Sequence, residues 1–207
     1  MYFMFLFLLL GLKWEAPPMG KLKISMDYSA KFVEIKDKSN STSQSRIVKK
    51  AILTGEGGGA VIRNHLGEVL RKQVWKNTSG KTNVGELEAF SNSLVWCLNF
   101  FPKKEDREKL IFETDSKNLA YVINNGRGYR DADAQEILDK VRIDMTKFNF
   151  TSILHVVREK NQTADALANL GRLGADITDS TNMEVDETSK FEFDEIDDYK
   201  KKIYQTG

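Results

Sequence analysis

Four acidic residues stand at the joints between regular stretches of this sequence. Asp27 closes an alternating apolar run, Glu86 opens a helical one, Asp115 ends a short apolar strand, and Asp165 lies near the start of the last helical run, TADALANL. In a mixed sheet, strand ends and helix starts meet along one edge, where sites form. Carboxylates gathered there repel one another and are costly to desolvate. A divalent cation neutralises them, and a set of oxygen donors selects Mg²⁺ or Mn²⁺. Two such ions can activate a water and stabilise the leaving oxygen of a phosphodiester. Taken singly, each residue has a plainer reading. Glu86 and Asp115 suit a helix start as caps or dipole partners. Only the joint pattern points to chemistry.

The elements that must carry these residues can be read from periodicity. Residues 20–27 alternate Leu22, Ile24 and Met26 with polar neighbours, as a strand does. Residues 57–63 and 67–75 form two further strands, with Asn64–Gly67 as the turn of a hairpin. Residues 34–50, rich in Lys, Ser, Asn and Gln, read as a flexible insert. Residues 85–101 carry Leu87, Phe90, Leu94, Val95 and Leu98 at helical spacing, and Pro102 stops them. A short strand at 110–113 precedes a helix capped by Asp115 or Ser116 and ending near Asn124-Asn125-Gly126. Residues 132–148 are helical, 150–157 form a strand, and a last helix over 162–170 is closed by Gly171. A hairpin followed by β-α-β-α crossovers predicts an α/β domain with a five-stranded mixed sheet and helices on both faces.

Composition fits one soluble domain with tails. The chain has 207 residues, 41% hydrophobic and 29% charged, and a net charge of +1. That average conceals a split. Residues 20–175 hold 26 Lys/Arg against 19 Asp/Glu, a charge of +7, while 176–207 hold 4 and 10, a charge of −6. A basic domain suits a polyanionic partner, although a mildly basic solvated surface has the same arithmetic. The acidic tail, 175–207, reads as a disordered end or as a polyanion mimic. Cys97 is the single cysteine, which excludes an internal disulfide, and it reads as a small buried residue on a helix. No Cys/His spacing suggests zinc.

Residues 1–19 form an apolar leader and linker. The first dozen, MYFMFLFLLLGL, are too few to cross a bilayer as a helix. They resemble the apolar part of a signal peptide, without a basic leader or a cleavage site. A third reading, the favoured one, is the stump of a longer polypeptide or a gene-prediction artefact. The expectation is a monomer without a membrane partner. A nuclear or cytoplasmic location is favoured over the secretory route.

The joint pattern resembles the ribonuclease H fold, and closely the reverse-transcriptase-like (type 1) ribonuclease H domain common in plant genomes and retroelements. Trp14-Glu15-Ala16-Pro17-Pro18-Met19-Gly20-Lys21-Leu22-Lys23 resembles its W-x-P-P-x-G-x-x-K lead-in. Residues 57–67 resemble its G-G-x-V-x-R-D-x-x-G hairpin, with Asn64 where Asp is usual. Val84-Gly85-Glu86-Leu87-Glu88-Ala89 resembles A-E-x-x-A, with Gly85 in place of Ala. Glu113-Thr114-Asp115-Ser116 resembles E-x-D-S. Residues 155–168 match H-V-x-R-E-x-N-x-x-A-D-x-L-A at every fixed position. The resemblance covers about 20–174.

What the resemblance implies is a metal-dependent endonuclease that hydrolyses the RNA strand of RNA/DNA hybrids. Asp27, Glu86, Asp115 and Asp165 would be its catalytic and metal-binding set, holding two Mg²⁺ or Mn²⁺ ions. Asp115, Glu86 and Asp27 would hold one ion, and Asp27 with Asp165 the other. Ser29, Thr82, Asn83 and Ser116 would touch the substrate, as would Arg158 and Asn161 on the loop before the last helix. His155 reads as a structural strand-end histidine. Two departures favour an alternative, a catalytically impaired nucleic-acid-binding domain, a retroelement remnant once fused to a reverse transcriptase. One is Tyr28 in place of the glycine of D-G-(S/A), which would crowd the RNA strand or stack on it. The other is the long insert, which would be a basic arm (Arg46, Lys49, Lys50) or drifted sequence. Trp75 and Trp96 read as packing residues, and Gly57–Gly59 as part of a hairpin, not a phosphate loop.

Overall fold

A computed structural model describes residues 14–37, 48–76, 79–148 and 152–174. Five strands, β1 (Leu22–Asp37), β2 (Val48–Arg63), β3 (Val69–Lys76), β4 (Leu110–Thr114) and β5 (Leu154–His155), form one sheet in the order β3-β2-β1-β4-β5. β1 pairs antiparallel with β2 and parallel with β4; β2 with β3 is antiparallel and β4 with β5 parallel. Five α-helices, α1 (Thr82–Phe100), α2 (Lys104–Arg107), α3 (Lys117–Asn124), α4 (Ala132–Met145) and α5 (Gln162–Arg172), and one 3-10 turn over Arg158–Lys160 complete the described fold. The mixed sheet and flanking helices are those anticipated from periodicity.

Strand alternation divides β1 between two environments. Ile24 and Met26 join Ala60 and Ile62 of β2 in the main core, under Leu87, Phe90 and Leu94 of α1 and Leu138 and Val141 of α4. The intervening side chains look the other way, toward α5, where Val61, Val74 and Leu167 form a smaller cluster. Cys97 and Trp96 are buried in the main core, and Trp75 packs at its margin. All three are packing residues, as expected.

The Gly57–Gly59 run explains how α5 reaches the sheet. A Cβ on Gly57 would lie 2.2 Å from the backbone nitrogen of Arg172, and one on Gly59 would lie 2.5 Å from that of Ala168. The glycines are therefore bare strand on which a helix backbone rests. Gly171 does the same from the helix side, since its Cβ would meet the Trp75 carbonyl at 2.5 Å. Gly171 thus lies inside α5 and does not close it. Gly174, with φ +80, follows the end instead and donates to the Gly171 carbonyl at 3.0 Å.

Other boundaries also move. Part of the expected insert is regular. The β1–β2 hairpin stays in register from Lys31↔Gly55 to Asp37↔Val48, with one irregularity at Lys31/Phe32. Residues 38–47, which include Arg46, and the side chains of Lys49 and Lys50 lie outside the described residues, as do the tail and residues 1–13. The 132–148 helix ends at Met145, and α2, a single polar turn, had no periodic signal. Trp14 and Glu15 contact the domain. The indole Nε1 donates to Glu113 at 2.7 Å, and Glu15 pairs with Lys160 at 2.5 Å. Among the described residues, no helix is long and apolar enough to cross a membrane.

Candidate active site

β1 and β4 run parallel and in register, Met26 opposite Thr114. The next residue on each is Asp27 and Asp115, so adjacent strands deliver two carboxylates to one sheet edge. Glu86 enters from the first turn and a half of α1, and Asp165 from the first turn of α5. The four sense one another electrically. Burial first, then the charges of Asp115 and Glu86, push the Asp27 carboxyl up to about 9; Asp165 adds to this, while the Tyr28 backbone N–H, donating at 2.8 Å, opposes it. Burial and Asp115 push Glu86 up to about 8, with Arg158 opposing. This is the signature of like charges crowded in a poorly solvated place.

The donor set suits a divalent cation. Every candidate ligand is a carboxylate oxygen. Asp27 is 4% exposed, and its Oδ2 is buried with no hydrogen-bond partner. A buried oxygen of this kind is normally satisfied by something, and a cation would do it. Among the described residues, no three or more His, Cys, Asp or Glu side chains are gathered closely enough to hold a metal ion between them. Asp165 is held meanwhile by Arg158, whose guanidinium donates to Oδ1 at 2.8 Å.

The expected substrate residues separate into two groups. Thr82 and Asn83 are exposed at the start of α1, and Arg158 is largely exposed beside Asp165. Ser116 caps α3, accepting from the Leu119 N–H at 3.3 Å. Ser29 donates to Asn169 at 2.8 Å, between β1 and α5. Asn161 corrects the expectation. It is 1% exposed, donates to the Met26 carbonyl at 2.9 Å and reaches Asp115 Oδ1 at 3.4 Å. It braces the carboxylates from within and offers no surface to a substrate.

Tyr28 is the larger correction. Strand alternation turns its side chain away from Asp27 and into the α1 side, so it is buried and not presented at the carboxylate edge. It is 7% exposed, and its ring fills the place where a Cβ on Gly85 would lie, 2.1 Å from Cε2. Tyr28 in place of Gly and Gly85 in place of Ala therefore answer each other.

Sequence reading overlooked a shallow groove beside the carboxylates. Asn83, Asn118, Tyr121, Arg127, Tyr129 and Arg130 line it. Its signal was the run Arg127-Gly128-Tyr129-Arg130, basic and aromatic residues interleaved between two helices. Asn169 was also missed. Its amide donates to the Asp165 carbonyl at 2.9 Å, a helical i+4 contact that steadies the turn bearing that carboxylate.

Comparison with known proteins bears on the fold and the family. No curated protein sequence matches the chain. Among solved structures, the ribonuclease H1 of the archaeon Halobacterium salinarum is 18% identical with a TM-score of 0.57, covering 75% of this chain and 99% of that one. LC11-RNase H1, isolated from compost by metagenomics, is 22% identical with a TM-score of 0.59, over 75% and 98%. The foamy viral protease-reverse transcriptase in complex with RNA/DNA hybrid is 15% identical with a TM-score of 0.53, over 79% of this chain and 22% of that one. These likenesses show the ribonuclease H fold. The sequence profile described as Reverse transcriptase-like matches residues 47–171, taking in Glu86, Asp115 and Asp165; Asp27 lies ahead of the match. With more than half its length matched by that profile, the chain belongs to the reverse transcriptase-like family.

Proposed function

We propose that this protein is a metal-dependent endonuclease that hydrolyses the RNA strand of an RNA/DNA hybrid. The observation that carries the reading is the meeting of Asp27, Glu86, Asp115 and Asp165 at one sheet edge, with a buried Asp27 oxygen left unpartnered. Asp115, Glu86 and Asp27 would hold one Mg²⁺ or Mn²⁺, and Asp27 with Asp165 a second. Bound there, the ions would polarise a water and neutralise charge on the scissile phosphodiester. The protein's own groups do the rest. Asn161 fixes the Asp115 carboxylate against β1, and Asn169 steadies Asp165. Thr82 and Asn83 present polar side chains to a phosphate backbone, and the groove of Asn118, Arg127 and Arg130 continues that surface. Recognition would rest on duplex shape and 2′-hydroxyls, not on base sequence.

The test is cleavage of end-labelled hybrid by the full chain with Mg²⁺ or Mn²⁺, beside Asp115→Asn. Metal-dependent cutting of the RNA strand alone, to 3′-hydroxyl and 5′-phosphate ends and absent in the variant, would support it. The alternative is a domain that only binds nucleic acid. Arg158 on Asp165 favours it, since that carboxylate is already paired. Intact hybrid binding without cutting at any metal concentration would select it.

A further inference from the structure

Glu56 is a buried acid outside the carboxylate cluster, 3% exposed on β2. It is fully engaged. The Tyr28 hydroxyl donates to it at 2.5 Å, the Ser79 hydroxyl at 3.2 Å and the Gly80 backbone N–H at 3.0 Å. Tyr28 follows Asp27 directly in β1. Gly80 has φ +68 and lies one residue before Lys81, the N-cap residue of α1. Thr82, Asn83 and Glu86 come immediately after. The Tyr28 ring meanwhile presses on Gly85, the neighbour of Glu86. One side chain thus contacts the helix next to one candidate ligand while rooted next to another. A glycine in the first helical turns costs stability relative to alanine, so the vacancy at residue 85 has a use: it admits the ring.

We propose that Tyr28 and Glu56 are positioning residues of this site, tying the strand that carries Asp27 to the turn and helix start that carry Thr82, Asn83 and Glu86. The inference rests on the nuclease reading for its consequence, but the tether can be measured without cleavage. Tyr28→Phe keeps the ring and removes the hydroxyl. Tyr28 then no longer bridges to Glu56, while Gly85 stays filled. Removing this buried hydrogen bond should lower amide-exchange protection of Gly80 about tenfold. Core amides of β1 and β4 should keep theirs. Hybrid affinity, read by anisotropy on an Asp115→Asn background in which nothing is cut, should weaken about threefold to tenfold as Thr82 and Asn83 loosen. In the cutting enzyme the same change should raise KM, whereas a residue that merely stabilises the fold would lower the active fraction at constant KM.

Gly85→Ala separates the ring from the hydroxyl. Alone it should lower Tm, and adding Tyr28→Gly should remove the clash but leave Gly80 unprotected. Glu56→Gln should repeat the Tyr28→Phe pattern. Unchanged Gly80 exchange and unchanged hybrid affinity in Tyr28→Phe would overturn the proposal, as would Gly85→Ala with no change in Tm. Failure of the wild-type chain to cut would sink the nuclease reading alone, because exchange and affinity still decide the tether.

Discussion

At the scale of single residues, the site stores electrostatic strain. Asp27 and Glu86 hold folded-state values of about 9 and about 8, against about 4 in an unfolded chain. The native state therefore binds more protons than the unfolded one across that interval, and stability falls with rising pH. Their contribution is complete below about pH 4 and is lost as pH climbs through about 8 to 9. Metal-free protein should show a falling Tm from pH 5 to pH 9, followed by circular dichroism. A flat profile would show that the carboxylates are not crowded in solution. Asp27→Asn removes the most buried of the charges. It should raise the Tm of metal-free protein at pH 8 while abolishing cleavage, the trade of stability for function that a site of like charges implies. Equal destabilisation at all pH values would mean that Asp27 is a structural group.

At the scale of elements, the decisive contact is α5 on bare strand. Gly59 has helix backbone, not a flexible side chain, where a Cβ would go. Gly59→Ala should therefore push α5 outward at a cost of about 1–3 kcal/mol, with the urea midpoint lowered and the m-value unchanged. Cleavage should fall further than stability does, because α5 carries Asp165. A substitution absorbed without loss of either would show that the helix can slide. The sequence displayed the three glycines, but not their reason. Periodicity placed a strand there and suggested a hairpin, whereas the helix lying across Gly57 and Gly59 comes from more than 100 residues away, and Gly58 makes room for the Trp75 ring on the other face. The same blindness affected Gly171, which closes a helix by local rules and is instead consumed by packing. The long β1–β2 pairing escaped for another reason. Its ends, residues 34–37 and 48–50, carry more charged than apolar residues and lack the alternation by which a half-buried strand is known.

At the scale of the whole molecule, basic residues 20–175 imply that hybrid binding weakens linearly as log salt rises. Replacing Arg127 and Arg130 together by alanine should make that slope shallower by roughly 1–2, if each neutralises a phosphate. An unchanged slope would remove the groove from the substrate path. Cation binding should also stabilise the fold. At a hundredfold excess over its dissociation constant, a single ion adds about 2.7 kcal/mol. The gain in Tm with Mn²⁺ should be larger at pH 8 than at pH 5, since protons compete for the same oxygens. No gain at either pH would count against carboxylate ligation.

The sequence by itself determined the kind of fold and the identity of the candidate ligands. Local periodicity dictates strand and helix, and the specific run from His155 to Ala168 needs no neighbours to be recognised. Tertiary structure alone decided how those ligands are supported. Parallel registration of β1 with β4 sets Asp27 beside Asp115, although the family match begins beyond Asp27. Strand alternation and the vacancy at Gly85 turned Tyr28 from a supposed obstruction into a buried prop. Burial made Asn161 a brace and not a surface contact. Each depends on which residues distant in the chain become neighbours in space, and one-dimensional spacing carries no record of that.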